Sequence, residues 1–480
     1  MPINSFLYPA PSTPSFAYEV ANSLRLDEPS NSGLTKTPSG AGNRRTFTLS
    51  TWVKRSKITN ETGDVQTMFE SRESNNDNCA LTFQTDDTLS IKLKVSGTNK
   101  SLITNRVFRD VSAWYHIVCA VDTTQSTDSN RVKIYVNGVQ ETSFGTEDYP
   151  SQDAQTSFNN SVGHGIGKRS DTTSQNFDGY LTEVVMIDGQ ALDPTSFGEF
   201  NSDSPTIWQP IDISGLTFGT NGFYLDFEDS SALGNDVSGN NNDYSVSNLS
   251  AVDQSTDTCT NNFATLNPLV TYPSTPPVHS EGNLQVVTVN ADPGHFGSSS
   301  TIGVSTGKWY AEFKPTNSTS GVPYLIGVSS DPAEMARNGA TSGNQNSSTE
   351  WGYYSYSGNQ FHDGSNSSYG DAYTTNDIIG VALDLDNHKL YFSKNGTFQN
   401  SGDPTSGSTG TGAISIDSGE TYFFMLSDLG GGVCTFQANF GSPPFSISSG
   451  NSDANGHGNF EYSVPSGYYA LNTKNLAEYG

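Results

Sequence analysis

At 480 residues the chain exceeds one ordinary domain, and its length alone points to two to four. Acidic residues number 50 against 23 basic ones, a formal charge of −27 without any basic stripe, which argues against a grip on phosphate backbones and hence against nucleic acid as a partner. With 47 Gly, 22 Pro and no sustained helical apolar period, coiled coils are excluded and an all-β chain with many turns is expected.

The first stretch, MPINSFLYPAPSTPSFAYEV, lacks a basic n-region and an unbroken apolar core, so no signal peptide is expected. No apolar run approaches the roughly 18 residues of a membrane span, and no membrane insertion is expected. Residues 1–19 read as a Pro-punctuated N-terminal arm whose Phe6, Leu7, Tyr8 and Phe16 are unusual for a plain linker. It is either a disordered leader or a docking arm that orders on a partner.

From Ser23 short β-rich runs recur with turn signals between them, and residues 20–205 are expected to form one antiparallel β-sandwich of the jelly-roll kind. The run WYHIVCAVDTTQSTDSNRVKIYVNGVQ at 114–140 sets the pattern. Val132, Ile134 and Val136 alternate with Arg131, Lys133 and Tyr135, giving one face to a core and one to solvent. Asn137-Gly138 then offers the positive φ angles of a tight hairpin turn. Cys79, Cys119, Cys259 and Cys434 stand far apart, without ligand-like spacing, and read as free thiols.

Residues 206–279 change character. Phe223, Leu225 and Phe227 alternate like one more strand packed on the first sandwich, and the rest reads as an Asn/Ser/Pro-rich connector with little to bury. Asp226, Glu228, Asp229, Asp236, Asn240 and Asp243 crowd one acidic turn region there. Clustered hard oxygens suit Ca²⁺, which would make Asp226, Glu228, Asp229, Asp236 and Asp243 metal ligands. Asx side chains also cap turns unaided, and both readings stand.

Residues 280–480 are expected to form a second β-sandwich, with DIIGVALDLDNHKLYFSKNGTF at 377–398 repeating the hairpin design around Asn395-Gly396. GVSTG at 303–307 satisfies the G-x-S-x-G expression but leads into a strand and not a strand-to-helix elbow. Glu183 and Asp188 share a strand at the wrong spacing for paired glycosidase carboxylates, and the 7 His form no metal signature. No catalytic residue is therefore expected. The stretch WGYYSYSGNQFHDGSNSSYGDAY at 351–373 has the Tyr/Ser/Gly/Asn mixture of adaptable recognition loops, and His362, Asn366, Tyr369 and Tyr373 are its ligand-binding candidates.

The ordered series SLRLDE, TFTLSTWVKRS, WYHIVCAVD, RVKIYVNGVQ, GIGKR and FDGYLTEVVMIDGQAL resembles a laminin-G-like, concanavalin-type jelly roll over roughly residues 20–200. The later series GNLQVV, TGKWYAEFKP, YLIGVSS, NDIIGVALDLDNHKLYFSKNG, TYFFMLSD and VCTFQANFG resembles a SPRY domain, with Asn376 where that family usually has Gly. Joined through IDISGLTFGTNGFYLDFEDSSALGNDVSGNNND, the tandem resembles tail-fibre-type and other virion proteins of marine bacteriophages. That resemblance implies a non-enzymatic virion protein, assembled in the host cytoplasm and displayed in many copies or as a homo-oligomer. Its implied partners are a host cell-surface glycan or receptor and other virion proteins. A capsid or tail decoration protein and a secreted carbohydrate-binding lectin are the alternatives.

Overall fold

A computed structural model describes residues 17–58, 65–271, 276–290, 297–319, 321–333, 347–429 and 432–480. Most of the N-terminal arm, with Phe6, Leu7, Tyr8 and Phe16, lies outside the described residues. The fold is nearly all β, 41% strand against 6% helix, in several antiparallel sheets, as the turn-rich composition requires.

The first sandwich opens with β1 (Ser23–Leu26), β2 (Gly33–Lys36), β3 (Thr46–Arg55), β4 (Gln66–Arg72), β5 (Asn78–Phe83) and β6 (Thr88–Val95). It continues through β7 (Thr98–Val107), β8 (Trp114–Asp122), β9 (Val132–Val136), β10 (Val139–Gln140), β11 (Phe144–Glu147), β12 (Gly163–Ile166) and β13 (Gly179–Asp188). Three short strands β14 (Gly198–Phe200), β15 (Trp208–Pro210) and β16 (Phe223–Leu225) precede β17 (Ser245–Ser247) and β18 (Gln254–Ser255). Sheet I runs β10-β9-β8-β3-β13-β1-β18 with β16 added to β13; sheet II runs β11-β7-β6-β5-β4-β12-β2-β17. Asn137 and Gly138 both take positive φ, 48° and 78°, so the β9–β10 turn is the tight one the dipeptide dictates.

Strand periodicity sets the faces. Phe47, Leu49 and Val53 of β3 meet Leu81, Phe83, Ile91 and Leu93 of sheet II in one core. The opposite face of sheet I is covered as well: Val118, Val185 and Ile187 pack under Phe197, Ile213, Phe218 and Tyr224 from the chain after β13. Trp52, His116 and Trp208 stack there, and a Cβ on Gly138 would lie 2.3 Å from the Trp208 ring. Sheet I is thus buried on both sides. Sheet II carries a polar outer face, with Glu70, Asn78, Thr82, Ser90 and Lys92 turned away from the core.

The second sandwich pairs a nine-stranded with a six-stranded sheet around Trp309, Phe313, Tyr353, Phe392, Phe424 and Phe436. The hairpin of Ile379–Asp384 and Lys389–Lys394 forms as the alternation predicts, with Leu390 and Phe392 in the core. Asn376 has φ 71°, the reason Gly is usual there; Asn tolerates that conformation best among other residues. GVSTG is followed by the strand Lys308–Ser318, so it forms no nucleophile elbow. A short helix α1 (Thr473–Tyr479) closes the chain against the same core.

The connector corrects the expectation of little to bury. Asp257, Phe263, Ala264 and Leu266 are buried, and the segment is wedged between the sandwiches. Lys54 donates to the Asp257 carboxylate at 2.7 Å, to Asn262 at 2.7 Å and to the Phe263 carbonyl at 3.1 Å. Across the seam Arg25 donates to the Pro443 carbonyl, Tyr180 to the Gly282 carbonyl and Asn283 to the Ser56 carbonyl. Cys79, Cys119 and Cys434 are buried and Cys259 half-buried, all four as free thiols. Among the described residues no helix is long and apolar enough to cross a membrane.

Candidate functional site

The outer face of sheet II carries a cleft of about 240 Å³. Its position follows from register. Glu70 of β4 pairs with Ala80 of β5, Ala80 with Lys92 of β6, and Lys92 with Ser101 of β7, one row across four strands. Strands lie about 4.8 Å apart, so Glu70 and Lys92 stand about 10 Å from each other with the small Ala80 as floor. Thr82 and Ser90 form the next row, again with short side chains. On the other side the row passes to β12, where Gly165 opposes Glu70. A Cβ on Gly165 would lie 2.2 Å from the Lys168 carbonyl oxygen. That glycine therefore lets the chain after β12 fold back as a wall bearing Arg169 and Gln175.

Glu70 is only 2% exposed although it faces outward. One carboxylate oxygen accepts from Arg72 Nε at 2.9 Å, and the other from the Ser170 amide at 3.2 Å and hydroxyl at 2.9 Å. Arg169 is forked onto Asp171 and donates to Gln175. Lys92 is half-buried, and burial first, then the charges of Arg72, Lys94 and Arg169, push its pKa below the usual lysine range. Among the described residues the cleft presents hydroxyls, amides and cations over a shallow floor and one carboxylate, already bonded. Such a surface can bind a polyhydroxylated ring; it offers no free acid–base pair.

The structure divides the sequence candidates in the second sandwich. His362 and Asn366 lie on the hairpin of Asn359–His362 and Ser365–Ser368; Asn366 is exposed, while His362 stacks on Trp351 at 4.2 Å. Tyr369 and Tyr373 belong to the core instead, 5% and 4% exposed. The Tyr369 hydroxyl accepts from the Phe392 amide and the Tyr373 hydroxyl donates to the Tyr353 carbonyl, so neither can meet a ligand. The loop composition gave no period to show that these rings point inward.

In the acidic turn the candidate calcium ligands hydrogen-bond to nearby donors of the turn. Both Asp236 oxygens accept from Tyr224, Ser238 and Asn242 donors, Asp243 accepts from the Asp236 amide, and Asp229 from Ser231. Asp226 accepts from the Glu228 amide, and Glu228 itself is exposed. Among the described residues no three His, Cys, Asp or Glu side chains form a group that could hold a metal. Asp226, Asp229 and Asp243 each cap a turn through one carboxylate oxygen and Asp236 through both.

Glu183 and Asp188 occupy separate sites. Glu183 sits in a β-bulge of β13 with φ 51°, buried, its carboxyl accepting from Tyr224 at 2.8 Å and Tyr18 at 3.5 Å. Burial foremost pushes its pKa up to about 8. Asp188 accepts from Asn43, Asn159 and Asn221 and ties loops together.

Two family models match the chain: that of the concanavalin A-like lectin/glucanases superfamily over residues 29–196, and that of the SPRY domain over residues 308–413. The protein carries a concanavalin A-like domain followed by a SPRY domain, and the cleft lies in the first. Comparison with curated proteins gave no match. Among solved structures, the SPRY domain of human HERC1 is similar at 17% identity, over 36% of this chain and 96% of that one, with a TM-score of 0.29. A Bacteroides ovatus protein assigned to carbohydrate binding is similar at 16% identity, over 49% and 62% of the two chains, with a TM-score of 0.31. A heptameric SAP-like pentraxin from Limulus polyphemus is similar at 18%, over 37% and 80%, with a TM-score of 0.27.

Proposed function

We propose that this protein is a non-catalytic adhesin that holds one sugar unit of a surface glycan in the sheet II cleft. The observation that carries the reading is the row Glu70–Ala80–Lys92–Ser101, a polar trough on the outer face of sheet II. The concanavalin A-like and SPRY matches are consistent with a binding role. Among the described residues the cleft holds one carboxylate, already bonded, whereas hydrolysis requires two, which supports retention. Shallow polar sites bind weakly one at a time, and display in many copies raises avidity by about 10²–10⁴ where geometry allows.

The setting we favour is a phage particle, with the protein as a fibre-type virion component meeting host glycan; the connector passage at 211–243 motivates it. A decoration protein bound to other virion proteins and a secreted lectin remain the competing settings. Mass spectrometry of purified particles separates them, since a virion component co-purifies at many copies per particle and a secreted lectin does not.

The binding reading is tested on a glycan array, with biotinylated protein applied as monomer and as streptavidin tetramer. The tetramer should be retained on a subset of glycans with at least tenfold stronger apparent affinity than the monomer. No retention in either form, or steady release of reducing ends from a bound polysaccharide, contradicts a non-catalytic glycan binder.

A further inference from the structure

Three cations, Arg72, Lys92 and Arg169, line the cleft in a chain whose formal charge is −27, and Lys94 follows Lys92 on the same face of β6. Two of them have counter-ions: Arg72 pairs with Glu70 and Asp171, and Arg169 with Asp171. Lys92 has none. Among the described residues no carboxylate pairs with its ammonium and no acceptor takes a hydrogen bond from it. A half-buried cation among like charges opposes folding, so packing gives no account of why a lysine stands there. Ala80 beside Lys92 in its row and Thr82 and Ser90 in the next have short side chains, which leaves room for a ligand on that side of the ammonium.

Resting on the sugar-binding reading above, we infer that the ligand of this cleft is an anionic sugar whose carboxylate or sulfate ester pairs with Lys92, across the cleft floor from Arg72 and Arg169. The sugar hydroxyls then meet Thr82, Ser90 and Ser101, which face the same floor. Repulsion from the remaining negative charge acts at long range and is screened beyond about 10 Å at 0.1 M salt, whereas the Lys92 contact is made inside that distance. Association should accordingly quicken as salt rises from about 0.01 to about 0.1 M, opposite to the behaviour of a protein whose whole surface attracts polyanions.

The test is calorimetric titration of the full chain with three oligosaccharides of equal length: a polymannuronate, a sulfated galactan and a neutral maltooligosaccharide. Either acidic sugar should bind about tenfold tighter than the neutral one, and whichever does so names the anionic group. Lys92→Gln should abolish that preference, Lys92→Arg should keep it, and the melting temperature of Lys92→Gln should be unchanged or higher. Equal binding of acidic and neutral sugars, or a preference that survives Lys92→Gln, overturns this inference and leaves sugar binding intact. Displacement of the acidic sugar by a short DNA duplex would also overturn it, making the cleft a general anion site. Failure of all three sugars, together with an empty glycan array, would instead sink the sugar-binding reading itself.

Discussion

Asp257→Ala is expected to cost about 3–5 kcal/mol and to split one calorimetric transition into two. Lys54 and Asp257 are each 1% exposed, and the carboxylate also accepts from the Trp114 indole and the Phe263 amide, both at 3.2 Å. Burial pushes the Asp257 pKa up while Lys54 opposes it. Removing the acid strands a buried ammonium and two donors at the point where the connector joins first sheet to second sandwich. The double variant Lys54→Met with Asp257→Ala should recover a large part of the loss, because no unpaired charge remains. Two transitions already present in the wild type, or a single-variant cost below about 1 kcal/mol, would mean that the seam does not couple the sandwiches.

Stability should hold roughly level between about pH 4.5 and 6.5, then fall by on the order of 3–4 kcal/mol by about pH 8. Three buried carboxyls keep protons in the fold, with pKa values raised mainly by burial to about 8 for Asp178, about 8 for Glu183 and about 7 for Glu312. Each folded value lies above the unfolded one, so the stabilisation is complete below the unfolded pKa and is lost as pH rises through the folded value. Each such group contributes a slope of about 1.4 kcal/mol per pH unit. Burial also holds His116 down to about 3, and His164 and His279 to about 4, and these act with opposite sign below about pH 6.5. The two sets offset one another on the acid side, and the carboxyls act alone above it. Glu183→Gln should lessen the alkaline loss by roughly a third. A urea-denaturation series across pH checks this; stability that rises from pH 6.5 to 8 would contradict the protonated carboxyls.

What could be read from the sequence was what repeats locally. The hairpins around Asn137-Gly138 and Asn395-Gly396 were legible because alternation and a positive-φ dipeptide act within a few residues. Tyr369 and Tyr373 were misplaced because their burial depends on Tyr353 and Phe392, not on their own spacing. Lys54 and Asp257 lie 203 positions apart and carry no mutual signal along the chain. The cleft was missed for another reason. Glu70, Ala80, Lys92 and Ser101 each look like an ordinary solvent-facing strand residue, and only the register of four strands and the wall beyond Gly165 bring them together.

The central claim, that sheet II holds the ligand, is met most directly by filling the trough. Ala80→Trp places a large ring between Glu70 and Lys92 on a face that points away from the core, so the melting temperature should stay within about 2 °C of wild type. Titrated with the oligosaccharide that the wild type binds best, the variant should lose at least about 100-fold in affinity. Undiminished binding by a folded Ala80→Trp protein would place the ligand elsewhere and contradict the account.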